Sequence, residues 1–118
     1  VRLMFPLINS LMEFRQAKMT VHDAMEDLEE AGLPCGRGIR VGMMLETPAA
    51  AIQVTEFCRE VDFISIGTND LVQYLLAGDR DNQRVAKMYD PFHPGVLRVL
   101  KQIADCANGA GKSVSICG

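Results

Sequence analysis

The segment Asp62-Phe63-Ile64-Ser65-Ile66-Gly67-Thr68-Asn69-Asp70 decides the fold. Phe63 to Ile66 form a nearly continuous apolar run, the pattern of a strand buried on both faces of a parallel sheet. Gly67 breaks the run, and an amide and a carboxylate follow at once. Parallel α/β folds place their chemistry at the C-terminal ends of strands, so Asn69 and Asp70 stand where an active-site edge would be. The same two side chains could instead do no more than cap a following helix, expected over 71–77. This segment alone leaves both readings open.

Working outward, the chain alternates strands and helices. Val1 to Ile8 is a short apolar strand, with Pro6 near its end because proline cannot donate to a sheet ladder. Ser10 and Glu13 form the S-x-x-E capping box of a helix that runs to about Ala31. Leu11, Phe14, Ala17, Val21, Met25 and Leu28 recur along it at helical spacing. Gly32 suits the left-handed position after the helix, and Pro34 prevents its continuation. Ile39 to Leu45 is the second strand, with Glu46 at its end. Thr47 and Pro48 then read as N-cap and first helical residue of a helix over 49–58, packing Ala50, Val54 and Phe57. After the opening segment come the short helix, a polar turn at Gly78-Asp79-Arg80-Asp81 and a helical piece over 84–89. His93 starts a helix from Pro94 to Ala107 that turns Leu97, Leu100, Ile103 and Ala104 inward. Ser113 to Ile116 is the fourth strand, with Cys117 at its tip. Strands alternating with helices imply βα units and a parallel sheet. Four of them make about half of a (β/α)₈ barrel of about 250 residues; a shorter open α/β sheet is the alternative.

Composition narrows the class. The 118 residues are 48% hydrophobic with a net charge of −3, which allows a real core and supplies no basic face for nucleic acid. No apolar run approaches the roughly 20 residues of a membrane span. Cys35, Cys58, Cys106 and Cys117 lie far apart without a C-x-x-C pair, which argues against a zinc site or disulfide framework and favours a reducing cytoplasm. The chain begins and ends in apolar runs, and a piece of a longer chain is the expectation.

Three reactive groups fall at one relative place: Glu46 ends the second strand, Asp70 follows the third and Cys117 ends the fourth. In a parallel barrel these strand ends share one mouth. Two carboxylates there suit Mg²⁺, which takes one or two carboxylates and completes its shell with water and substrate oxygens. Asn69 could hold a substrate carboxylate or phosphate without adding repulsion. Arg80 offers a planar fork matched to phosphate, or else a salt bridge to Asp79 or Asp81. A free thiol, with a pKa of about 8.5, is mostly protonated at pH 7. Cys117 is therefore either a general acid or a small buried hydrophobe. Cys35, Cys58 and Cys106 read as structural, and His22 as a surface residue beside the apolar stripe.

With these residues in place, the chain resembles enzyme I of the phosphoenolpyruvate:sugar phosphotransferase system, including its nitrogen-related paralogue. The resemblance is carried by Met4-Phe5-Pro6, by Val41-Gly42-Met43-Met44-Leu45-Glu46-Thr47-Pro48-Ala49-Ala50-Ala51 and by 61–74. It continues through Ala77-Gly78-Asp79-Arg80, Asn82, Arg84-Val85 and Cys117-Gly118. It implies the phosphoenolpyruvate-binding (β/α)₈ barrel, which also carries the family's dimer interface, in a cytoplasmic enzyme. It also implies Mg²⁺ ligands at Glu46 and Asp70, substrate binding at Asn69 and Asp70, a phosphate-binding arginine at Arg80, and at Cys117 the acid that turns enolpyruvate into pyruvate. In the family the phosphoryl group passes to a histidine on a separate domain and then to a histidine-bearing carrier protein. Neither His22 nor His93 matches that acceptor, and Arg2, Arg37 and Arg40 do not match the family's other phosphate-binding arginines.

Three other readings compete. The pyruvate phosphate dikinases and their phosphoenolpyruvate synthase-like kin share the Glu-x-Pro, Gly-Thr-Asn-Asp-Leu and Cys-Gly patterns, but Gln73-Tyr74 and Asp79-Arg80 favour enzyme I. The Mg²⁺-dependent pyruvate aldolases share a strand-end Glu and have no need of Cys117. A non-catalytic dimerisation module would leave every property unchanged in Glu46→Gln and Asp70→Asn.

Overall fold

The computed structural model describes all residues, 1–118. Its elements are β1 (Arg2–Phe5), α1 (Leu11–Glu30), β2 (Arg40–Leu45), α2 (Pro48–Ile52), α3 (Val54–Phe57), β3 (Phe63–Gly67), α4 (Thr68–Leu76), a 3₁₀ turn (Ala86–Met88), α5 (Pro94–Gly109) and β4 (Ser113–Cys117). The four strands form one parallel sheet in sequential order, β1-β2-β3-β4. The expected α/β class and parallel sheet are therefore present. All five residues of β3 are buried, Ser65 included, as its nearly continuous apolar run predicts.

The register puts the strand ends in line. Leu45 pairs with Ile66, and Gly67 pairs with Cys117. At the opposite end Asp62 fixes β2 against β3. Its Oδ2 accepts from the Val41 N–H at 2.7 Å, and its own N–H donates to the Val41 carbonyl at 2.9 Å. A one-residue slip would turn every side chain to the wrong face, so a double clasp at the start of the ladder has a large consequence.

Helix α1 begins as its sequence dictates. The Ser10 hydroxyl accepts from the Glu13 N–H, and the Glu13 carboxylate reaches back to the Ser10 N–H. Phe14, fully buried, packs edge-to-face between Phe5 and Phe57 with ring centroids 6.3 and 6.4 Å away. Arg15 grips Glu60 with its guanidinium, which holds the Glu60 carboxyl below its ordinary range. Gly32 is left-handed at φ +67°, ending the helix as expected.

Several boundaries differ from the sequence reading. β1 is shorter than 1–8: Pro6 stops the ladder, and Leu7 turns into the left-handed region at φ +53°. The helix expected over 49–58 is broken at Gln53, whose side-chain amide donates to the carbonyls of Asn9 and Ala49. Ala50, Val54 and Phe57 are nonetheless buried. In α5 the inward face runs through Val96, Ile103 and Ala107, with Leu100 and Ala104 half-buried. Leu97 was expected inward and is 47% exposed, because the buried line runs one residue earlier through Val96. Leu28 too is exposed. The later turns of α1 do not reach the core and instead wall a groove of about 600 Å³ with Leu3, Phe5, Val21, Met25 and Ile39.

Cys58 is in the core, and Cys106 is half-buried beside it with its Sγ 3.4 Å from the Thr55 hydroxyl. Burial, reinforced by the Cys106 thiol, pushes the Cys58 thiol up to about 11. An unfolded thiol ionises near 8.5, so the stability tied to protonated Cys58 is intact below that pH. It is lost as the pH rises through about 11. In urea melts at pH 8 and pH 10.5, Cys58→Ala should lose less stability between the two pH values than the parent sequence. Equal losses would refute the assignment.

Candidate active site at the strand ends

The C-terminal edge of the sheet gathers the reactive side chains. Glu46, immediately after β2, is only 4% exposed. Its Oε1 accepts from the Leu7 N–H at 2.8 Å across the β1 end. Its Oε2 rests against the Gly67 α-carbon: a methyl group there would meet that oxygen at 2.5 Å and the Glu46 Cβ at 2.8 Å. Gly67 thus does more than break a strand. It leaves the space that the carboxylate fills.

None of the molecule's ion pairs includes Glu46. A buried carboxylate with one N–H donor and no cationic side chain is costly unless something positive compensates it. This donor set fits a hard divalent cation better than it fits a structural salt bridge.

Asn69 and Asp70 occupy the first turn of α4, which starts at Thr68 rather than at Leu71. Neither side chain caps the helix; Gly67 is the N-cap residue and offers none. The capping alternative is thereby removed. Asp70 is half-buried and Asn69 exposed. A carboxylate in the first turn is also favoured by the helix dipole. Arg80 pairs with neither Asp79 nor Asp81. Its guanidinium lies 3.7 Å from Asp70 Oδ1, which brings it to the strand ends. Local sequence favoured its acidic neighbours, but Asp79 is occupied in a turn, accepting from the Asp81 N–H at 2.9 Å.

Cys117 ends β4 with its side chain exposed, next to Gly67 in the ladder. Its carbonyl accepts from the Thr68 hydroxyl at 3.2 Å. Gly118, at φ +144°, crosses so closely over Thr68 that a Cβ would lie 2.1 Å from the hydroxyl oxygen. The five predicted residues, Glu46, Asn69, Asp70, Arg80 and Cys117, therefore converge on one edge. Sequence reading missed three supports: Leu7, Thr68 and the spatial role of Gly67. Only Gly67 had a visible signal, its position between the strand and the acid.

The two histidines lie outside this group. His93 caps α5, its Nδ1 accepting from the Gly95 N–H at 3.0 Å, as its place before Pro94 suggested. His22 is exposed on α1 beside Asp23 and Glu26.

The whole chain, residues 1–118, matches the PEP-binding domain of PEP-utilising enzymes. The protein belongs to that family. It is 49% identical over its full length to the phosphoenolpyruvate-protein phosphotransferase of Geobacillus stearothermophilus. The same identity relates it to that of Bacillus sp. (strain S), and 45% to that of Enterococcus faecalis. The chain spans about a fifth of the length of these curated relatives, 20% in each case.

If Gly67 serves chiefly to admit Glu46, Gly67→Ala should destabilise the fold by about 1–3 kcal/mol, the usual cost of overpacking. Adding Glu46→Gly, which removes both the carboxylate oxygen and the Cβ that the methyl would meet, should remove most of that cost in a double-mutant cycle followed by urea unfolding. An undiminished penalty in the double variant would sink this account.

Proposed function

We propose that this chain is the catalytic edge of a phosphoenolpyruvate-protein phosphotransferase. The observation that carries the reading is Glu46: a buried carboxylate without a cationic partner, held at the end of β2 against Gly67, which ends the strand that leads into Asp70. The relatives' names agree with this reading, and those named above are neither dikinases nor aldolases.

In this mechanism Glu46 and Asp70 are the residues that would hold Mg²⁺. The ion, when bound, would stabilise the enolate that remains as the phosphoryl group leaves phosphoenolpyruvate. Arg80 faces the moving phosphoryl group and offsets its charge, and Asn69 orients the substrate with its amide. The N–H groups that open α4, which no side chain caps, favour an anion at the same place. Cys117 donates its thiol proton to the enolate carbon, converting it to pyruvate. The phosphoryl acceptor is a histidine on another domain, from which a histidine carrier protein is charged. His93 is committed to its cap, and His22 stands on an exposed helix face.

The chain is further proposed to be about half of a (β/α)₈ barrel within a longer, cytoplasmic, dimeric enzyme. The sequential strand order supports a barrel, because doubly wound sheets reverse direction at a switch point. β1 and β4 each pair on one side only, and the apolar groove beside α1 lies next to the β1 edge. Unpaired edges invite association. Light scattering on the isolated chain should therefore report assemblies or aggregation, and a clean soluble monomer would count against the half-barrel reading.

The function itself is tested by calorimetry on the full-length protein. Phosphoenolpyruvate should bind only with Mg²⁺ present. Asp70→Asn, checked for folding by circular dichroism, should weaken binding by at least the 10–100-fold typical of losing an outer partner of a metal ligand. Metal-independent binding, or binding indifferent to Asp70, would overturn the assignment.

A further inference from the structure

Leu7 is a conformational outlier with an exact partner. Its φ of +53° puts a bulky side chain in the left-handed region, where the Cβ of an L-residue crowds the following carbonyl oxygen. The other non-glycine residue there, Ala77, ends a helix, where that conformation is ordinary. Leu7 ends no helix. Nor is it held by burial of its side chain, which is 53% exposed. Its backbone is what is used. The N–H points at Glu46 Oε1 at 2.8 Å. Just beyond, the Leu7 carbonyl accepts from the Asn9 side chain and the Asn9 N–H donates to Glu13, so the turn is fixed from its far side by the cap of α1.

We infer that Leu7 is a positioning residue: its strained backbone aims one N–H at Glu46 and leaves the carboxylate's other oxygen to bind a metal ion. The inference rests on the reading of Glu46 as a ligand. The two oxygens are held differently, Oε1 by the β1 end and Oε2 against Gly67, so the carboxylate has a fixed orientation before any ion arrives. Outer partners of metal ligands supply this kind of orientation, and their loss typically costs 10–100-fold in affinity. Strain kept at such a place, and held there by surrounding contacts, is a recurrent property of functional sites.

The donor can be removed without changing the side chain. Nonsense suppression with leucic acid at position 7 of the full-length protein replaces the Leu7 N–H by an ester oxygen. Mn²⁺, a paramagnetic stand-in for Mg²⁺, is titrated and read by electron paramagnetic resonance, and thermal melts check the fold. The ester protein should bind Mn²⁺ about tenfold or more weakly, in line with other outer partners. Leu7→Gly keeps the N–H and accepts φ +53° without strain, so it should hold Mn²⁺ within about threefold and melt no lower.

Unchanged affinity in a folded ester protein, with affinity lost in Glu46→Gln, would overturn the role of Leu7 and leave Glu46 a ligand. Unchanged affinity in Glu46→Gln would remove the ligand reading and this inference with it. A tenfold loss in Leu7→Gly would show that the side chain, not the N–H, matters, and would also overturn it.

Discussion

A carboxylate that is out of water and without a cation is the constraint on which this edge of the molecule depends. Glu46 is 4% exposed, and the protein gives it one backbone N–H. Charge in such a place is tolerated only when its surroundings are fixed, because any loosening leaves it worse compensated. The neighbouring strands meet this demand from both sides. β1 supplies the donor, and β3 supplies a glycine, which leaves room for the other oxygen. The register that sets Leu45 against Ile66 is therefore also the register that seats the acid.

The opposite end of the sheet makes that precision possible. Asp62 exchanges two hydrogen bonds with the Val41 backbone. From there to the C-terminal edge, β2 and β3 pass through the driest part of the core, among Met43, Leu45, Ile64 and Ile66. Close-packed interiors transmit position with little slack. A clasp at the start of the ladder and a packed middle fix where Glu46 and Gly67 end up. The same register then carries across to Cys117 through β4, whose own surface is largely exposed.

Much of this was legible in the sequence, for reasons that differ by residue. The apolar run at 63–66 could be little else than a buried strand, and the capping box at Ser10 and Glu13 formed as written. Helical period alone placed Phe14 and Phe57 correctly, since each lies at the middle of its apolar face. It failed for Leu97 and Leu28 because period gives a face but not what covers it. Leu97 lies one residue past the buried line through Val96, and Leu28 lies on the later turns of α1, which wall a groove rather than the core. The break at Gln53 depends on a hydrogen bond to Asn9, forty-four residues away, and local propensity carries no trace of it. The site residues were legible because strand ends are where loops and chemistry begin. Their supports were not. Leu7 acts through its backbone, and a backbone N–H is the same in every residue but proline.

Side chains that react advertise themselves by type, whereas the groups that orient them are drawn from whatever backbone lies near. Here the orienting group sits at the one place where local rules are broken, a leucine in a glycine-like conformation directly after Pro6. Proline fixes its own φ and ends the β1 ladder, so the chain must leave the sheet at that point. The Ser10–Glu13 cap then draws residue 9 toward α1. Between these two constraints only three residues remain to make the turn, and the left-handed step at Leu7 both closes it and aims the N–H inward. The strain follows from two ordinary local signals set too close together, and the molecule uses the resulting geometry to hold its most costly charge.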